Sequence, residues 1–237
     1  MNLKSFGCSF IFGTDLPDDN GDSPYHSRLT WPALIAKELN FNYQCYARPG
    51  SGNLQILERI LTQCGNGHAN DIFVIGWTWI DRFDYLNPTS ESWQNKIIPP
   101  KTPWSTIMPV DVDGLARAYY KELHSQYQDK LTTLIYMKTA IDALRNNGIK
   151  FIMTLIDELT FEPEWEPNPA INDLQTYIAP YITRFEGKTF LEWSKSRGFE
   201  ISPTLHPLEA AHKSATEYLI KVFDTKNTND STRPVLS

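Results

Sequence analysis

Leu3-Lys4-Ser5-Phe6-Gly7-Cys8-Ser9-Phe10-Ile11-Phe12-Gly13 begins apolar enough for a short buried strand, then meets small residues, a hydroxyl and a second glycine. That is the pattern of a strand ending in a tight turn. A serine at such a turn projects from the carboxyl edge of a sheet, where open α/β folds bind their ligands. Ser9 is therefore the first candidate nucleophile. Cys8 stands beside it, but alternation along a strand points it the opposite way, as a small buried residue. A turn carrying Gly-x-Ser also has a purely conformational reading, so the assignment needs a partner elsewhere in the chain.

The partner lies near the other end, in Thr204-Leu205-His206-Pro207-Leu208-Glu209-Ala210-Ala211-His212. Pro207 suits the first turn of a helix, and Leu208, Ala211, Ala215, Tyr218, Leu219, Val222 and Phe223 follow at helical spacing. His206 then sits in the loop ahead of that helix. From there an imidazole can turn toward a neighbouring site and take the proton of a serine hydroxyl, which is a weak nucleophile at its own pKa. His212 falls on the apolar stripe and reads as a core histidine, or as a support for His206 from behind.

Between these ends, strands and helices alternate. Tyr43 to Ala47 reads as a strand leading into the turn Arg48-Pro49-Gly50-Ser51-Gly52-Asn53, and a helix carrying Leu54, Leu57, Leu61 and Cys64 on one side follows. Asp71 to Gly76 is a near-continuous apolar strand of the kind parallel sheets require, and it delivers Trp77, Thr78 and Trp79 to the edge that holds Ser9. A helical pattern over 113–147, too long for one ordinary helix and so expected to break, ends at Gly148. Phe151 to Ile156 is a further strand, and Phe199 to Ile201 a short edge strand. The alternation predicts an α/β fold, a three-layer α/β/α sandwich on a mainly parallel sheet. One domain over 1–224 is expected, with an aromatic lid insertion at about 80–112 and a polar tail over 225–237.

Gly7-Cys8-Ser9, Gly50 within Ala47 to Asn53, Gly76-Trp77-Thr78-Trp79 and His206-Pro207 form an ordered set that resembles the motif blocks of the SGNH (GDSL-like) hydrolase superfamily. Among its members, the Gly-Cys-Ser-Phe opening looks most like small phage-encoded ones. The resemblance implies a five-stranded flavodoxin-like sheet and a serine hydrolase, an esterase or O-deacetylase acting on a short acyl ester or an acylated glycan. Ser9 would be the nucleophile and His206 the base, with Ser9 and Gly50 N–H groups and the Thr78 hydroxyl forming the oxyanion site. Three departures stand out: Cys8 replaces the usual Asp, Thr78 the oxyanion Asn, and Pro203 the Asp that normally orients the histidine. Asp157, Glu158, Glu200 or a backbone carbonyl are the candidate replacements for that acid. A catalytically idle scaffold, serving as a phage structural or glycan-binding protein, is the competing expectation.

Trp77, Trp79, Arg82 and Asn53 are the substrate-binding candidates. The lid adds Phe83, Tyr85, Trp93 and Trp104, and the acidic loop 161–169 adds Trp165; these aromatics either form platforms for a sugar or aryl group or pack the loops onto the domain. Arg82 either clamps a substrate carboxylate or pairs with Asp81 or Asp84.

Composition excludes several alternatives. The 22 Lys and Arg against 28 Asp and Glu give a net charge of −6 without a basic run, so neither nucleic acid nor an anionic membrane is an expected partner. No apolar run approaches the ~20 residues of a membrane span, and the polar start does not resemble a signal peptide, so a cytoplasmic location is expected, with virion association left open. Cys8, Cys45 and Cys64 lack zinc or disulfide spacing. Asp15, Asp18, Asp19 and Asp22 crowd one loop without the EF-hand order of ligands, so they read as a solvated loop beside the site. Neither a metal nor a cofactor is expected.

Overall fold

A computed structural model of the chain describes residues 1–19, 25–65, 70–86, 104–163 and 168–229, with side chains through 221. Trp93 and most of the expected lid, Asp22, Trp165, and the Val222 and Phe223 side chains lie outside the described residues. In chain order the elements are β1 (Asn2–Phe6), α1 (Ser9–Phe12), α2 (Trp31–Glu38), β2 (Asn42–Cys45), α3 (Asn53–Gly65), β3 (Ile72–Trp77), β4 (Phe83–Leu86), β5 (Trp104–Ile107), α4 (Gly114–Ala118), α5 (Gln126–Asn146), β6 (Lys150–Leu155), α6 (Pro169–Ile178), α7 (Phe190–Ser196) and α8 (Glu209–Asn229).

The main sheet has the order β2-β1-β3-β6, every pair parallel, which is the flavodoxin-like arrangement expected. It has four strands rather than five. On the outer side of β6 the chain makes one parallel bridge, Met153 with Ile182, because a 3₁₀ turn over Ala179–Tyr181 ends just before it and a tight Phe185–Lys188 pairing turns the chain away just after. The expected edge strand at 199–201 is likewise a single bridge, between Ile201 and Pro207.

Strand alternation sorts the core into two layers. Phe73, Ile75 and Trp77 of β3 and Phe151, Met153 and Leu155 of β6 face Ile56, Ile60, Leu134, Met137 and Ile141 of α3 and α5. Leu3, Val74 and Ile152 face Trp31, Ile35, Phe190, Trp193, Ala215 and Leu219 of α2, α7 and α8. The buried face of α3 is turned from the expected one. Leu61 is exposed, while Asn53, Gln55 and Arg59 are buried because they serve a polar network at the head of that helix.

The long helical stretch breaks, as expected from its length. Asp113 caps α4, a π-helical turn covers Tyr119–Leu123, and Ser125 caps α5 by accepting from Gln128 N. Part of the lid is ordered secondary structure rather than loop: β4 and β5 pair antiparallel. Helix α8 continues through Asn229, into the stretch read as tail. No helix among the described residues is long and apolar enough to cross a membrane.

Two glycines set the site by letting α1 press onto the sheet. A Cβ on Gly7 would lie 2.6 Å, and one on Gly76 2.7 Å, from Ile11 Cγ1. The buried Ile11 therefore fills a slot that only glycines leave open. Gly76→Ala is expected to cost about 1–3 kcal/mol by overpacking, read as a lower denaturant midpoint at unchanged slope.

His212 is a core residue, as one sequence reading had it. Its Nδ1 accepts from Trp31 N at 3.1 Å, and its ring lies 5.0 Å from that of Phe190. Burial pushes the imidazole down to about 3, against a hydrogen bond to the Pro207 backbone. A histidine whose folded pKa lies below its unfolded value of about 6.5 takes up a proton on unfolding. Its contribution is whole above about pH 6.5 and is lost as pH falls toward 3. Unfolding free energy is expected to decline below about pH 6.5, with a shallower decline in His212→Asn, whose amide oxygen can still accept from Trp31 N. An unchanged slope in the variant would assign the titration to another group.

Candidate active site

The site forms at the carboxyl ends of β1 and β3, where the strand order reverses. Ser9 opens α1 directly after β1, so its backbone N–H has no acceptor within that helix. Its Oγ lies 2.7 Å from His206 Nε2. On the far side of the ring, His206 Nδ1 lies 2.7 Å from Asp15 Oδ2. A carboxylate only accepts, so Nδ1 carries the proton and Nε2 is left as the acceptor for the serine hydroxyl. The fold brings together an alcohol, an imidazole and a carboxylate that the motif blocks do not supply.

Asp15 comes from the loop after α1, two positions beyond Gly13. Ser202 Oγ donates to its Oδ2 at 2.7 Å and Thr204 Oγ1 donates to the same oxygen. These two hydroxyls flank Pro203, the position expected to carry the acid. The acid thus comes from the start of the chain and its braces from the end. Burial pushes the Asp15 carboxyl up, but hydrogen bonds from Thr204, Ser202 and His206, with the imidazole charge beside it, outweigh burial and bring it down to about 2. Asp15 and Leu205 both hold left-handed backbone, with φ of 70° each. Such conformations cost on the order of 1 kcal/mol apiece and persist where surrounding bonds impose them.

The expected replacements for the acid are engaged elsewhere. Asp157 accepts from Ile80 N at 2.9 Å and Leu159 N at 3.0 Å. Glu158 pairs with Arg184. Glu200 contributes its backbone carbonyl to Leu208 N, and its side chain is exposed.

Gly50 turns the chain after β2 with φ of 75° and reaches no neighbour that a side chain would meet. Thr78 is 1% exposed, and among the described residues its Oγ1 has no hydrogen-bond partner. Asn53 is not placed to line a cleft. It is buried, its Oδ1 accepts from Thr78 N at 2.9 Å, and its Nδ2 donates to Thr78 O at 3.2 Å and Thr133 Oγ1 at 3.3 Å. It clamps the Thr78 backbone instead. Trp77 also departs from expectation. At 1% exposure it continues the Phe73–Ile75 face of β3 into the core, as period-2 alternation requires, and offers no ring face to a ligand.

Trp79 does reach the site. Its ring meets Phe10 edge-on at 5.5 Å, and Phe10 in turn meets the His206 ring at 5.1 Å. Arg82 stacks on Trp79 at 4.8 Å and donates to Ser51 O at 3.0 Å, so it ties the β3 edge to the Gly50 turn; its charge is felt by Asp81, but it hydrogen-bonds to neither Asp81 nor Asp84. Asp84 of β4 instead accepts from Gly52 N at 2.9 Å, Gln55 N at 3.0 Å and Gln55 Nε2 at 2.8 Å, capping α3 from another element. Cys8 is buried among the apolar side chains facing α2, away from solvent. The acidic loop organises itself: Asp18 accepts from Arg28 N at 2.7 Å, and Asp19 from Asp15 N at 3.0 Å.

No family model matches the chain, and no curated protein matches it. Solved structures do. A member of the lipolytic G-D-S-L protein family from Veillonella parvula superposes with a TM-score of 0.52 at 14% identity, over 94% of this chain and 98% of that one. A carbohydrate esterase, described as displaying divergent catalytic and non-catalytic binding functions in its active site, superposes with a TM-score of 0.53 at 13% identity, over 94% of this chain and 64% of that one. The chain has the SGNH hydrolase fold. Within that fold the Ser9 hydroxyl and the His206 ring come into hydrogen-bond contact. Asp15 is the residue that motif reading missed. Its only sequence signal was an acidic residue just past the turn glycine of the first block, and its loop neighbours Asp18 and Asp19 gave the same signal.

Proposed function

We propose that this SGNH-fold chain is a serine esterase or O-deacetylase that cleaves a short acyl ester from a small molecule or a glycan. The observation that carries the reading is the unbroken relay from Ser9 Oγ through both nitrogens of His206 to Asp15. In this reading Ser9 Oγ attacks the acyl carbonyl while His206 Nε2 takes its proton. Asp15 holds the ring in the required tautomer and stabilises the imidazolium that forms. Negative charge on the carbonyl oxygen falls to the Ser9 and Gly50 N–H groups and to the Thr78 hydroxyl, whose lack of another partner suits it to the asparagine's role. His206 then returns the proton to the leaving alcohol, and water, activated by the same imidazole, releases the acid.

Labelling by a fluorophosphonate, together with hydrolysis of short aryl esters, tests the reading directly. Neither reaction occurring in purified protein would sink it. A second reading, an idle scaffold that binds glycans or serves in a phage particle, draws on the replacement of the oxyanion asparagine by Thr78. It expects saturable glycan binding without turnover. Asp15 weighs against it, since a relay with no work to do has no reason to hold a strained backbone in place.

A further inference from the structure

Beside the relay a cavity of about 820 Å³ opens between the acidic loop, the strand β2 and helix α3. Asp15 and Phe12 form its border with the catalytic residues, Ala47 to Pro49 lead from it into the Gly50 turn, and Arg59 lies in its wall. Its size is that of a site for a drug-sized or sugar-sized ligand.

The cavity's charge arrangement is unusual for a chain of net charge −6. Arg59 is only 8% exposed, yet no carboxylate hydrogen-bonds to it. Its guanidinium donates to three neutral acceptors: Ser51 Oγ at 2.8 Å, Gln55 Oε1 at 2.8 Å and Tyr46 O at 3.3 Å. Among the described residues its Nε–H has no partner at all. Asp84, the buried acid nearest in charge terms, is occupied by Gly52, Gln55 and Thr106. A second guanidinium, that of the exposed Arg48, lines the same cavity. Burial and the proximity of Arg48 bring Arg59 down to about 10, so it stays charged at neutral pH. Of the acids on the wall, Asp15 is committed to His206, while the exposed Glu58, like the buried Asp84, acts on Arg59 only through space. A buried cation that no carboxylate contacts is costly unless something supplies that contact.

We infer that this cavity is an anion subsite of the ester-binding cleft, in which Arg59 and Arg48 receive a carboxylate or phosphate carried by the substrate. The inference rests on the esterase reading for the word substrate, but the anion site itself does not. Hydrogen bonds from guanidinium to such a group are worth on the order of 10- to 100-fold in affinity.

The test has two arms. In the first, inorganic phosphate and glutarate are titrated separately into the native protein by calorimetry, which also tells a phosphate site from a carboxylate site. Saturable binding of one of them, weakened by salt and at least tenfold weaker in Arg48→Gln or Arg59→Met, is expected. Arg48 is exposed, so its variant keeps the test open if Arg59→Met fails to fold. In the second arm, kcat/KM is compared within two pairs: 4-nitrophenyl hemiglutarate against 4-nitrophenyl valerate, and 4-(carboxymethyl)phenyl acetate against 4-ethylphenyl acetate. At least one charged ester is expected to be preferred by about tenfold or more, with the ratio falling toward one in the arginine variants. Hydrolysis without charge preference, together with no anion binding, overturns the subsite and leaves the esterase standing. Anion binding that the variants weaken, with no ester cleaved, supports the subsite and overturns the esterase.

Discussion

Ser9→Ala is expected to abolish fluorophosphonate labelling and to lower ester turnover by about 10⁵- to 10⁶-fold, the scale of removing a serine nucleophile from a triad. The size follows from what is lost. Without Oγ the His206 Nε2, 2.7 Å away, has no hydroxyl to deprotonate. The nearest substitute is Cys8 Sγ, 4.0 Å from Ser9 Oγ and buried with the apolar side chains beneath α1. Folding should be little affected, because Ser9 is held by the close packing of Ile11 against Gly7 and Gly76 rather than by its own hydroxyl. Turnover within tenfold of native in a folded variant would remove Ser9 from the mechanism.

Asp15→Asn is expected to lower kcat by about 10⁴-fold with little change in KM, as the same substitution does in a serine protease triad. Asparagine tolerates the left-handed backbone at φ of 70°, so the loop keeps its path, whereas a bulkier or branched residue would confound the result. The amide can present its NH₂ to Nδ1 and so favours the tautomer that puts the proton on Nε2, where it blocks acceptance from Ser9. Because the carboxyl is brought down to about 2, Asp15 is ionised throughout the working range, and the acid limb of the native rate profile does not come from it. Its stabilising contribution is present above its unfolded pKa of about 3.9 and is lost as pH falls toward 2. Activity that survives Asp15→Asn would mean that another group orients His206, and Thr204 Oγ1, 2.9 Å from Nδ1, would be the first to examine.

Much of the architecture was legible because it depends on local periodicity. The strand at Ile72–Trp77, the helix behind Pro207 and the turn that carries Ser9 are each written in a few adjacent residues. Trp77 could have been placed correctly by the same rule. It is the third in the Phe73, Ile75, Trp77 alternation, and reading it as a cleft residue gave a motif position more weight than the strand's own pleat. Asn53 and Arg59 were harder. Their burial on α3 departs from the apolar stripe that Leu54 and Leu61 suggest, because Asn53 is clamped to the Thr78 backbone and Arg59 is bonded to Ser51, Gln55 and the Tyr46 carbonyl.

The sequence by itself determined the parallel sheet, the serine at its rim and the histidine ahead of the last helix, since each follows from short-range pattern and turn chemistry. Only the tertiary structure decided which carboxylate completes the relay. Asp15 and His206 are 191 positions apart, and no local preference distinguishes Asp15 from Asp18 or Asp19. Its selection comes from the Ser202 and Thr204 hydroxyls, which the fold of the distant loop carries into reach of one carboxylate oxygen and none of the others.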